Sequence, residues 1–112
     1  MINYNNKIFK SLSNTSNGEV GEETIFYYKQ VNNLVNAEYK GGSILQGHLI
    51  AIVNANGDLD MRYHHINTSG EIMTGICNSK PEIDEDGKIK LFEEWHWTSG
   101  DKSSGTSVIK EV

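Results

Sequence analysis

Residues 93–101 read EEWHWTSGD. Two carboxylates, two indoles and an imidazole stand within five positions, which supplies an acid, a base and a flat apolar wall in one short segment. The arrangement depends on which of them share a face. Alternate residues of a strand point the same way, so Glu93, Trp95 and Trp97 form one set and Glu94 and His96 the other. Over 89–97 the odd set (Ile89, Leu91, Glu93, Trp95, Trp97) is the drier, and it is expected to face inward with Glu93 among it. The adjacent Glu94 and His96 are then an outer-surface pair.

The same alternation applied elsewhere selects further inward residues. In 59–65 the set Leu59, Met61, Tyr63, His65 is drier than Asp60, Arg62, His64. In 24–30 the set Thr24, Phe26, Tyr28, Gln30 is expected inside because it leaves Lys29 in solvent. In 35–39 the better inner set is Val35, Ala37, Tyr39. The expected interior is apolar with polar exceptions: Tyr28, Gln30, Tyr39, Tyr63, His65 and Glu93. A buried carboxylate without partners costs several kcal/mol or shifts its pKa until it is neutral, and the expected partner of Glu93 is His65.

These residues support three readings. In the first, Tyr28, Tyr39, Tyr63, His65, Glu93 and Trp95 line a cavity and bind a small molecule. The second is an enzyme in which Glu93 or His65 acts as general acid/base in that cavity. The third is an interaction protein that forms a homodimer, or docks through an exposed strand face, around a filled core in which the polar groups satisfy one another. A ligand cavity of roughly a few hundred Å3 would favour the first two; a solid core would favour the third.

Other constellations give less. His64 and His65 are adjacent in a strand, so their rings point to opposite faces and cannot share an ion; no metal site is expected. NANGDLD (54–60) resembles part of a calcium loop, but the register places Ile52 and Tyr63 at ligand positions. Asn56-Gly57 is instead a hairpin signal. PEIDEDG (81–87) is expected to be a solvated acidic loop. No phosphate-cradling glycine loop or nucleophile elbow occurs, and no cofactor is expected. Cys77 is expected to be a small buried apolar side chain.

Turn signals recur along the whole chain: Asn17-Gly18, Asn32-Asn33, Gly41-Gly42, Asn56-Gly57, Ser69-Gly70, Asp86-Gly87 and Ser99-Gly100. Between them lie eight short runs rich in β-branched and aromatic residues, a spacing typical of all-β sandwiches and barrels. Residues 22–31 could open as a helix on their glutamate pair, but Thr, Ile, Phe and two Tyr favour a strand. Short connections favour antiparallel neighbours. The expected fold is an eight-stranded antiparallel up-and-down barrel in meander order, closed so that no edge is left open; a sandwich is the structural alternative.

The chain is 112 residues long, enough for one domain over 1–112. Its net charge of −5, without a basic cluster, argues against nucleic acid and against anionic membrane surfaces. A single cysteine and the absence of a secretory signal in MINYNNKIFKSLSN lead to an expected cytoplasmic location.

With GGSILQGHLIA (41–51), LDMRYHHIN (59–67) and EEWHWTSGD (93–101), the chain resembles, over essentially its whole length, a family of small bacterial proteins often labelled automatically as N-acetylglutamate synthase. The acetyl-CoA-dependent acyltransferases that such a label implies resemble an α/β domain with a glycine-rich pyrophosphate loop at a helix start. This chain departs from that pattern in having neither. Its hairpin series is similar to the lipocalin-like (calycin) barrels, a resemblance that implies a small-molecule ligand inside the barrel.

Overall fold

A computed structural model describes residues 2–112. Among them eight strands follow one another: β1 (Lys7–Asn14), β2 (Ile25–Val31), β3 (Leu34–Gly41), β4 (Ile44–Val53), β5 (Leu59–Asn67), β6 (Ile72–Ile83), β7 (Ile89–Trp97) and β8 (Ser104–Glu111). Each pairs antiparallel with the next, and β1 pairs with β8, so the sheet closes into an up-and-down barrel. This is the meander barrel expected from the hairpin cadence, and the uncertain segment 22–31 contributes strand β2.

Three of the turns share one chemistry. In Asn54–Asp58, Asn67–Glu71 and Asp84–Lys88 the first side chain accepts the backbone N–H groups two and four positions on. A glycine with positive φ (Gly57, Gly70, Gly87) then returns the chain to the sheet. Asn56-Gly57 therefore marks a hairpin, as expected.

PEIDEDG is only partly a loop, because β6 runs on through Pro81, Glu82 and Ile83 before turning at Asp84. The expectation fails because proline is usually excluded from strands. Here β5 has ended opposite Ser79, so the proline sits on a local edge where its missing N–H is not needed.

The interior follows the alternation closely. Leu59, Met61 and His65 of β5 are buried, as are Ile89, Leu91, Trp95 and Trp97 of β7, Phe26 and Tyr28 of β2, and Val35, Ala37 and Tyr39 of β3. Bulges break the rhythm at two places that matter for the site. One between Ser11 and Ser13 carries the inward phase of β1 from Phe9 to Asn14. Another between Ile44 and Gln46 lets both Ile44 and Gly47 face inward on β4.

The two ends of the barrel differ. One is plugged by the segment before β1, whose Tyr4 is fully buried. Its hydroxyl donates to the Gly57 carbonyl at 2.6 Å, and its N–H donates to Gln30 Oε1 at 2.8 Å. Gln30 thus serves the plug and is remote from the cavity. The other end is roofed by the long β1–β2 connection, residues 15–24.

Candidate functional site

Beneath that roof lies a cavity lined by Tyr39, Met61, Tyr63, His65, Cys77, Glu93, Trp95 and Trp97, with Asn14, Gly18, Glu19 and Val20 at the mouth. Of the residues singled out in the sequence, Tyr39, Tyr63, His65, Glu93 and Trp95 meet here. Tyr28 is fully buried deeper in the barrel and does not line the cavity. The volume is about 50 Å3, room for roughly four water molecules at ~10–15 Å3 each. The interior is thus neither a wide ligand chamber nor solid; side chains fill most of it and leave a small pocket at one end.

Four aromatic rings make the wall, and three of them are seated on glycines of the neighbouring strand. Tyr39 pairs with Gly47, Tyr63 with Gly75 and Trp95 with Gly105. A Cβ on Gly47 would lie 2.5 Å from the Tyr39 ring, and one on Gly75 or Gly105 would collide with Tyr63 or Trp95. The missing side chains let each ring lie flat against the sheet, which keeps the centre open. Trp97 meets Trp95 at 5.4 Å between ring centres and Tyr63 edge-on at 5.8 Å.

Glu93 does not pair with His65. Its carboxylate accepts the hydroxyls of Ser79 (2.8 Å) and Ser107 (3.0 Å), which stand directly beside it on the two flanking strands. His65 lies near the mouth, beyond the level of Trp97. Trp97 stands four positions after Glu93, or ~13 Å along the strand. Alternation had placed both residues inside without fixing their heights, and height is what keeps them apart. Burial pushes the Glu93 carboxyl up to about 6, against the opposing hydrogen bonds from Ser79, Ser107 and Cys77. Burial also raises Tyr28, Tyr39 and Tyr63 above the usual phenol range and the Cys77 thiol well above its own, so these groups are neutral hydroxyls and a neutral thiol.

The partner of His65 is Glu19, in the roof. His65 Nε2–H donates to Glu19 Oε1 at 2.8 Å, while Nδ1 bonds the Tyr39 hydroxyl at 2.9 Å. Asn67 Nδ2 also donates to Glu19, and the indole N–H of Trp97 donates to the Asn17 carbonyl at 3.0 Å. Trp95 donates to Asn14 Oδ1 at 3.2 Å. The roof is therefore tied down by the same side chains that line the cavity.

Sequence reasoning missed Glu19, Asn14, Ser79 and Ser107. Glu19 lies in a turn-rich stretch without periodicity, 46 positions from His65. Asn14 is inward only through the bulge, and small hydroxyls on a strand carry no face signal of their own. The His64 and His65 rings do point to opposite sides, His64 exposed and His65 buried. Among the described residues no group of three or more His, Cys, Asp or Glu could hold a metal ion. Cys77 is buried, as expected.

The outer wall carries a wider hollow of about 550 Å3 over Arg62, Asn78, Glu94 and His96. Those side chains have water available, so burial makes no demand on them. The interior cavity is the stronger candidate because its polar groups converge away from solvent. A family model described as "Avidin-like protein" matches residues 2–112. No curated protein and no solved structure matches the chain.

Proposed function

The chain belongs to the avidin-like protein family, and from that premise we propose that it binds a small molecule in the roofed cavity, in contact with Tyr39, Tyr63, His65, Glu93, Trp95 and Trp97. The observation that carries this reading is the glycine seating of three rings. Gly47, Gly75 and Gly105 hold Tyr39, Tyr63 and Trp95 against the wall, where ordinary residues would push them inward and fill the space. Glycine in a strand interior is destabilising, so three such positions around one pocket favour an open site over a merely packed core.

The separation of Glu93 from His65 weighs against catalysis by that pair, since each already has its own hydrogen-bond partners. Access lies past residues 18–20, where release of Glu19 from His65 and Asn67 would lift the roof. A reducing, cytoplasmic setting belongs to this reading and fits the lone buried thiol of Cys77.

Trp95 and Trp97 report directly on the cavity. Titrating a library of small polar metabolites is expected to yield ligands that change tryptophan fluorescence and raise the melting temperature together. A library in which no member does both would overturn the proposal.

A further inference from the structure

Two carboxylates stand in the barrel wall among the described residues: Glu111, buried and paired with Lys7, and Glu93, half-buried against the cavity with no lysine or arginine beside it. The Glu93 neighbours Ser79 and Ser107 supply hydroxyls. No lysine or arginine lines the cavity, and all ten lie exposed or half-buried on the outside. His65, the only basic side chain at the cavity among the described residues, has both ring nitrogens committed, one to Glu19 and one to Tyr39. Above the carboxylate stand Tyr39, Tyr63, Trp95 and Trp97, whose ring faces attract cations through their quadrupoles. A second carboxylate, Glu19, stands at the mouth. Below, the Tyr28 hydroxyl is buried without a hydrogen-bond partner.

An anionic ligand would meet two carboxylates and no cation. A neutral one would leave the Glu93 charge uncompensated. We infer that the site takes a small organic cation, an ammonium group of up to trimethylammonium size, with its charge on Glu93 and its methyl groups against the four rings. The size follows from the cavity, whose space for about four waters matches the heavy atoms of trimethylammonium. This inference rests on the proposed binding role and names the ligand class for the same site.

The titratable groups that face Glu93 are Cys77 on β6, Tyr28 on β2, Tyr39 on β3, Tyr63 and His65 on β5, and Glu19 in the roof. Between pH 8 and pH 5 the thiol and the phenols stay neutral. Affinity for a cation is then expected to fall about tenfold as Glu93, with its carboxyl at about 6, takes up a proton.

The test is calorimetric titration of the whole protein with methylammonium, trimethylammonium and guanidinium chlorides, against the neutral counterparts 2-propanol and urea. The cations are expected to bind at least tenfold more tightly at pH 8 and to lose that advantage at pH 5. Glu93→Gln is expected to remove both the preference and its pH dependence, which separates Glu93 from His65. Glu94→Gln, on the outer face, is expected to change neither. Neutral probes that bind as well as the cations, or an unaltered preference in Glu93→Gln, would overturn the ligand class while leaving a binding site in place. If none of these probes and no library member binds, the inference and the binding role fall together.

Discussion

A carboxylate that has lost much of its water and is hydrogen-bonded by Ser79, Ser107 and Cys77 is held in the fold at a cost, and Glu93 bears it at neutral pH. Its folded pKa of about 6 lies above its ordinary value of 4.5, so the folded protein holds this proton more tightly than the unfolded chain. By linkage, the contribution of Glu93 to stability is full below about pH 4.5, falls between 4.5 and 6, and is lost above. That rise in pKa corresponds to about 2 kcal/mol. Glu93→Gln should therefore stabilise the ligand-free protein by up to about 2 kcal/mol at pH 8 and by little at pH 4. Thermal unfolding of both forms across that range checks this, and equal shifts at both pH values would contradict it. A carboxylate held in the fold at such a cost is expected at a functional position. Its inward direction was legible in the sequence, because Leu91, Trp95 and Trp97 flank it at the strand period. Its partners were not, because Ser79 and Ser107 become neighbours only once the β6–β7 and β7–β8 registers are set.

At the level of elements the strands were legible and their irregularities were not. Alternation of β-branched and aromatic residues marks eight segments, and Gly or Asn marks each turn. A bulge inserts one residue, shifts every later side chain to the other face, and leaves no compositional trace. Asn14, five positions after inward Phe9, and Gly47, three after inward Ile44, face inward for that reason. The glycines were legible as residues but not as seats, since their meaning lies across the strand pair. The seats give a sharp expectation. In Gly75→Ala the new Cβ collides with the Tyr63 ring, and either the ring swings into the cavity or the β5–β6 pairing gives way. Overpacking of this kind costs about 1–3 kcal/mol. The variant should show a lowered melting temperature, an altered near-ultraviolet circular dichroism spectrum from its aromatic residues, and loss of ligand response. Gly21→Ala, whose Cβ meets nothing within 4 Å, should leave all three unchanged. A Gly75→Ala protein that still binds normally would show that the Tyr63 ring is not what holds the cavity open.

The whole molecule divides the barrel axis between two tasks. The half around Phe9, Tyr28, Val35, Leu59, Leu91 and Ile109 is fully packed and closed by Tyr4, while the half under the roof keeps the cavity. The seam between β1 and β2 is short, with four paired residues, Lys7–Lys10 against Ile25–Tyr28, because β1 bulges at its far end and the chain then leaves for the roof. The plug spans that weak closure from inside: Tyr4 packs 6.2 Å from Tyr28 between ring centres and bonds to Gly57 on the β4–β5 turn. Tyr4→Ala should therefore cost about 3–5 kcal/mol, the range for removing a large buried aromatic side chain. Tyr4→Phe, which keeps the ring and leaves the Gly57 carbonyl without its donor, should cost about 1–3 kcal/mol. Because the plug and the cavity sit at opposite ends of the core, neither substitution should alter the ligand dissociation constant measured well below the melting temperature. Denaturant unfolding gives the stability change, and tryptophan titration of the same samples gives the affinity. A Tyr4→Phe protein that lost affinity in proportion to stability would show that the two ends act as one unit, with the packed half setting the geometry of the pocket. Unchanged affinity would locate recognition in the roofed half alone, with Tyr4 and the packed core serving to keep the barrel closed.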